Sequence, residues 1–141
     1  MIGTENLREI IRTEIITAIK VIKDTKAHLS DYSLSAGSTK SIEIGPITER
    51  TGMIVTIKAS YAADATKGVR VRLLYSPDGV NYDSNEDADA TGNFFEPTFS
   101  AGTTRQRSEI AAYVSPYVRL SVTNLDTVRP ATISLWTVMV K

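Results

Sequence analysis

The stretch of this chain whose spacing most suggests chemistry is Asp87-Ala-Asp89-Ala-Thr91-Gly92, which sets side-chain oxygens at alternate positions ahead of a glycine. That is how an EF-hand-type calcium loop begins, and Asp87, Asp89 and Thr91 are the candidate metal ligands. Such a loop closes on a bidentate Glu at its twelfth position, where Thr98 stands here, and Glu96 comes too early. The competing reading is a solvated acidic loop. Glu86 and Asp87 are the residue types used in glycosidic bond cleavage, yet neighbouring carboxylates in an acidic loop are normally hydrated. His28 is the only histidine. It is expected near the C-terminal end of a helix, where its charge suits the dipole and where it is a poor base for any serine. There is no GxSxG elbow, phosphate-cradling glycine loop or HExxH pair. With no cysteine, neither a thiolate nucleophile nor a thiolate metal site is available. The expectation is a protein that is not an enzyme and uses no cofactor.

The elements that must position these residues come from one domain of ordinary size. The chain has 141 residues, 42% hydrophobic and 23% charged, and its 16 basic residues cancel its 16 acidic ones. A neutral balance gives no electrostatic reason to expect nucleic acid or an anionic membrane surface as partner. Glu5, Arg8, Glu9, Arg12 and Glu14 break the N-terminal sequence, so no apolar run there is long enough for a signal core or a membrane span.

Residues 5–29 predict an amphipathic helix. Thr4 is the expected N-cap, Glu5 and Glu9 lie in the early turns, and Lys20, Lys23 and Lys26 lie towards the end. Leu7, Ile11, Ile15, Ala18, Ile22 and Leu29 form one stripe. From Ile11 onward the spacing of four and three is also that of a short coiled-coil seam, and isoleucine-rich seams favour more than two strands, a trimer first among them. The stripe either packs on the chain's own domain or meets a partner. Residues 1–30 are therefore assigned to the helix as an assembly element, 31–40 to a Ser/Gly-rich linker, and 41–141 to a β-domain.

In the β-domain, Val69, Val71, Leu73 and Tyr75 alternate with Arg70 and Arg72, as in a strand with one buried face. Ser76-Pro77-Asp78-Gly79 then predicts a tight turn with Gly79 left-handed and a returning strand to residue 84. Met53 to Tyr61 alternate cleanly, residues 85–92 read as a loop, 94–99 as a short aromatic strand, 105–112 as a possible strand and 117–124 as a strand. Residues 131–140 are apolar on both faces, with Trp136 and Val138 opposite Ile133 and Leu135, so this strand is central or presents an interface. Six to eight such strands predict a mainly β fold, an antiparallel β-sandwich or jelly roll preceded by the N-terminal helix. The expected core contains Val55, Ile57, Val71, Leu73, Val118, Leu120, Ile133 and Leu135.

The run RVRLLYSPDGVNYDS, followed by SPYVRLSVTNLD and ATISLWTVMV, resembles the small sandwich domains of tailed-phage virion accessory and fibre proteins, which are discoidin-like jelly rolls. The resemblance covers roughly residues 42–140. It implies a structural protein of a virion, such as a capsid decoration, head fibre or tail-associated component. On this reading the partners are further copies of the chain, through Leu7, Ile11, Ile15, Ala18, Ile22, Leu29, Trp136 and Val138, and a larger capsid or tail protein. The alternative is a carbohydrate- or cell-surface-binding module, for which Tyr82, Phe94, Phe95 and Tyr113 are candidate contacts. Residues 73–104 hold six acidic side chains and no Lys or Arg, while Arg105, Arg107, Arg119 and Arg129 follow. That asymmetry would steer one subunit's acidic loop to another's basic face, or is ordinary surface.

Overall fold

The computed structural model describes residues 24–48, 52–111 and 115–140. Eight strands form in chain order: β1 (Thr25–Leu34), β2 (Thr39–Ile44), β3 (Gly52–Tyr61), β4 (Val69–Ser76), β5 (Phe94–Phe95), β6 (Thr104–Ala111), β7 (Tyr117–Asn124) and β8 (Ala131–Val140). They build two four-stranded antiparallel sheets, one ordered β1-β8-β3-β6 and the other β2-β7-β4-β5. This is the expected β-sandwich. β8 is central in its sheet, flanked by β1 and β3, which explains why its sequence is apolar on both sides.

The inward positions of both sheets meet in one core. Val55, Ile57, Val71, Leu73, Val118, Leu120, Ile133 and Leu135 are each at most 6% exposed, as the alternation of the strands requires. At one end of the sandwich the loops are held by Asn124 and Asp126. The Asn124 amide donates to the carbonyls of Leu34 and Arg129. The Asp126 carboxylate accepts from the backbone N–H groups of Thr66, Lys67, Val128 and Arg129. Those four donors hold its carboxyl far below the usual range, the bond from Thr66 first among them.

Four expectations are corrected. The predicted helix does not reach Leu29, because residues 25–34 are strand β1. β1 pairs with β8 through irregularities between Ala27 and Leu29 and between Leu29 and Tyr32. These bulges spoil the period of two that would have marked a strand. Leu29 therefore sits opposite Leu135 in the core at 8% exposure, and it is not part of a partner-facing stripe. The other stripe residues, Leu7, Ile11, Ile15, Ala18 and Ile22, lie outside the described residues. Residues 31–40 are no linker: they finish β1, turn at Gly37 (φ +67°) and start β2, so the sandwich begins at Thr25. The turn after β4 has Gly79 at φ +77° as expected, but no strand returns along β4. Instead residues 85–91, expected as loop, form helix α1 (Asn85–Thr91), the one helix among the described residues. Ser84 caps it by accepting from Asp87 N–H, and Gly92 ends it at φ +76°.

Candidate binding face

α1 lies against β4 and holds the Asp89 carboxylate over the outward face of the second sheet. Ala88, 1% exposed, is its buried contact. On that face β4 presents Arg70 and Arg72, β7 presents Arg119, Ser121 and Thr123, β2 presents Thr39, Ser41 and Glu43, and β5 presents Phe94. The alternation that buries Val69, Val71 and Leu73 is what turns Arg70 and Arg72 outward.

Two sets of groups occupy this face. In the first, the Arg119 guanidinium donates to Glu43 Oε1 from Nη2 at 2.6 Å and from Nε at 3.2 Å, and it lies 3.9 Å from the centroid of the Tyr82 ring. In the second, Arg70 Nε donates to Glu96 Oε1 at 2.7 Å, and its guanidinium stacks 4.3 Å from the centroid of Phe94. Between them Arg72, only 9% exposed, is held by Asp89 through two parallel bonds of 2.7 and 3.0 Å and donates to Thr123 Oγ1 at 3.0 Å. A fork of this kind fixes orientation as well as energy. The bond from Arg72 holds the Asp89 carboxyl below its ordinary value, with Arg70 adding to the effect, and the bond to Glu96 raises the Arg70 guanidinium.

The calcium candidates do not come together. Alternate positions converge in a loop, but on a helix they are turned about 200° apart, so Asp89 faces away from Asp87 and Thr91. Asp87 is bonded to Ser84 Oγ at 2.9 Å, Thr91 Oγ1 donates to the Asp87 carbonyl at 2.8 Å, and both Asp89 oxygens are taken by Arg72. Among the described residues no group of three His, Cys, Asp or Glu side chains is placed to hold a metal ion. Of the aromatic candidates, Tyr82 and Phe94 belong to this face. Phe95 points inward opposite Val71 and is 3% exposed, and Tyr113 lies outside the described residues. Trp136 and Val138 are half-buried on the outward face of the other sheet. His28 is in β1, not a helix, with Nε2 2.8 Å from Thr137 Oγ1.

Arg70, Arg72, Arg119 and their carboxylate partners were not singled out from sequence as a site. The outward alternation in β4 and β7 was visible, but Glu43, Asp89 and Glu96 come from three separate elements with no common spacing. The charge asymmetry of residues 73–104 finds partners within the chain, since Asp89 and Glu96 are held by arginines of β4. On the adjoining flank a cleft of about 120 Å³ is lined by Tyr75, Asn93, Phe94, Glu109 and Ile110. A second cleft of about 270 Å³, lined by Asp24, Ile44, Pro46, Ile47, Thr48 and Met139, approaches the ~300 Å³ at which sites for compact small molecules begin, but its lining holds no aromatic ring and no guanidinium, which the outward face of the second sheet combines.

No protein-family model matches the chain, and no curated protein matches it. Solved structures do. The chain is similar to the exported protein XepA of PBSX (TM-score 0.56, 12% identity, covering 85% of this chain and 38% of that one). It is also similar to the enzymatically active domain of tailspike protein 4 from bacteriophage CBA120 (TM-score 0.57, 7% identity, 87% and 20%). A third similarity is to the CBM22-1 and GH10 modules of Clostridium thermocellum xylanase 10B complexed with xylohexaose (TM-score 0.52, 10% identity, 85% and 27%). The chain thus spans about a fifth to two-fifths of the length of these proteins. At such identities the likeness is one of fold. It supports the β-sandwich and includes phage proteins.

Proposed function

We propose that this chain is a non-catalytic module that binds carbohydrate on the outward face of its second sheet. The observation that carries this reading is the pairing, twice on one face, of an aromatic ring with a guanidinium and a carboxylate: Tyr82 with Arg119 and Glu43, and Phe94 with Arg70 and Glu96. A sugar ring has an apolar C–H surface, which an aromatic face accommodates, and a rim of hydroxyls, which planar guanidinium and carboxylate groups can bond in pairs. Leu74, the cross-strand partner of Arg119, is four residues along β4 from Arg70, or about 13 Å. That length suits an oligosaccharide better than a single sugar. Beside the interval β2 exposes the hydroxyls of Thr39 and Ser41, whereas Ser121 of β7 is buried at 2% exposure. The fold shared with a xylanase solved with xylohexaose supports the reading.

The test is affinity electrophoresis through a series of soluble polysaccharides, followed by titration calorimetry on any that retard the protein. Tyr82→Ala and Phe94→Ala are each expected to weaken binding at least about fivefold, taking the stacking of a sugar on one ring to match the ~1–3 kcal/mol of a stacked base. Retardation by no polysaccharide, or binding that both folded variants retain in full, overturns the proposal.

The likeness to phage proteins favours a compatible second reading, in which the module belongs to a virion-associated protein that contacts a surface through it. Assembly through the Leu7–Ile22 stripe belongs to that reading. Its check is whether antibodies to the chain label purified virions of a phage that encodes it.

A further inference from the structure

Three cations stand on the outward face of the second sheet, and each already has a carboxylate partner: Glu96 for Arg70, Asp89 for Arg72 and Glu43 for Arg119. Further acids ring that face. Asp78 and Asp83 lie in the segment that follows β4, and Glu86 and Asp87 lie in the first turn of α1, all four exposed. The N–H groups of Asn81 and Val80 hold the Asp78 carboxyl well below the usual range, so it is charged at neutral pH. Seven carboxylates thus stand against three guanidinium groups. The other cations nearby do not redress the balance. Arg107 reaches the Glu96 carbonyl from the first sheet but is paired with Glu109. Lys40 turns to the opposite side of β2, over the Tyr32 ring. At the Arg70 end of the sheet Arg129 is paired with Asp64, and Lys67 adjoins Asp126, to which its own N–H is bonded.

We propose, resting on the carbohydrate reading above, that this face takes a neutral polysaccharide and turns away polymers that carry carboxylate, sulfate or phosphate. The reason is one of donors and acceptors as well as of net charge. Arg119 and Arg70 hold their carboxylates through Oε1, and the Glu43 and Glu96 side chains stay 60% and 39% exposed, so each carboxylate retains room to accept a further bond. A guanidinium beside a carboxylate offers donors and acceptors together. A hydroxyl both donates and accepts, and so answers both groups. A sugar carboxylate only accepts: it reaches a guanidinium by displacing Glu43 or Glu96, or by lying against a like charge. A like charge about 6 Å away through water weakens binding about threefold, and a polymer with an acid on every sugar brings several such encounters. The acidic first turn of α1 and the Asp78–Asp83 segment extend the repulsion over the ~10 Å that salt leaves unscreened.

Affinity electrophoresis of the full chain through a panel of neutral and acidic polysaccharides tests this. The panel includes pairs that differ mainly in charge, such as hydroxyethylcellulose with carboxymethylcellulose, and carboxyl-reduced polygalacturonate with polygalacturonate. The expected result is that the polymers that retard the chain are neutral, and that the acidic member of a pair binds at least about tenfold more weakly. Affinity for the neutral member should change less than about twofold between about 0.05 and 0.5 M salt. Glu43→Gln combined with Glu96→Gln uncovers two guanidinium groups and should narrow the preference for the neutral member at least about threefold, with melting curves confirming the fold. An acidic polymer that the native chain binds at least as tightly as its neutral counterpart, and that Tyr82→Ala releases, overturns this inference and leaves the carbohydrate reading standing. A folded double variant with an unchanged preference also overturns it. A chain that no polymer retards, neutral or acidic, overturns the carbohydrate reading and this inference with it.

Discussion

Replacing Gly79 by alanine separates two costs that a single measurement would merge. At φ +77° any Cβ is disfavoured, a penalty of about 1–2 kcal/mol partly offset by the entropy that alanine removes from the unfolded chain. Gly92 has nearly the same φ, +76°, and a Cβ there would meet nothing within 4 Å. Gly92→Ala therefore reports the conformational cost alone, about 1 kcal/mol. At Gly79 the added carbon would lie 3.0, 3.1 and 3.2 Å from Cε1, Cδ1 and Cζ of Tyr117, inside the 3.5–4.0 Å at which carbons attract. The same ring lies against Gly45, where a Cβ would come within 2.5 Å of Cδ1, so its room to move aside is limited. Overpacking of this kind costs about 1–3 kcal/mol. Gly79→Ala should thus lose about 2–4 kcal/mol, or roughly 6–16 °C in Tm, against about 3–4 °C at Gly92. Urea titration and thermal melts give both values. Combining Gly79→Ala with Tyr117→Ala should return the cost of the Gly79 change to the Gly92 level. Equal losses at the two glycines, or no coupling to Tyr117, would refute the packing argument.

Leu120→Ala should cost about 2–5 kcal/mol in urea-derived stability, since Leu120 is fully buried; a loss below about 0.5 kcal/mol would mean that the site collapses around the cavity. Asp89→Ala should destabilise by about 1.5–3 kcal/mol by leaving Arg72 buried without its partner, whereas Arg72→Leu together with Asp89→Ala should recover much of that loss; a double variant no more stable than the single one would show that the pair does more than balance charge. Burial, and then the nearby Lys26 charge, lower the His28 pKa below its ordinary 6.5. The folded state therefore binds the proton less readily than the unfolded chain. Its contribution to stability is complete above pH ~6.5 and falls as pH drops through the folded pKa. Stability measured against pH should show that slope, His28→Gln should flatten it, and a slope unchanged in the variant would assign it to other groups.

The parts of the fold legible in sequence were those where a regular period of two survives. β3, β4 and β7 alternate, β8 was legible as a central strand because it is apolar on both faces, and the inward residues of these four strands make up most of the observed core. β1 was hidden because its bulges put Ala27 and Leu29 out of step, while Lys26 and His28 fitted the end of a helical pattern begun upstream. α1 was hidden by its brevity, as seven residues leave no room for an apolar stripe, although Ser84 three residues before Asp87 was a capping signal in plain view. The candidate face was only half legible. Strand alternation places arginines outward, but which carboxylate meets which guanidinium depends on how β2, α1 and the segment after β5 are brought over the sheet, and no local spacing encodes that. The turn at Ser76-Pro77-Asp78-Gly79 was fully legible because its bonds are local: Asp78 Oδ1 accepts from the N–H groups of Val80 and Asn81.

β1 and β8 are antiparallel neighbours, and Thr25 pairs with Val138 near their shared end. The first and last strands of the sandwich therefore emerge side by side, which has a mechanical meaning. When both ends of the domain are pulled apart, the load falls on the β1–β8 ladder at that one end, and its hydrogen bonds, which run across the strands, open in succession like the teeth of a zip. A domain tethered in this way yields at low force. If it were hung between a particle and the surface it grips, it would let out β1 as slack before the load reached the β2-β7-β4-β5 sheet.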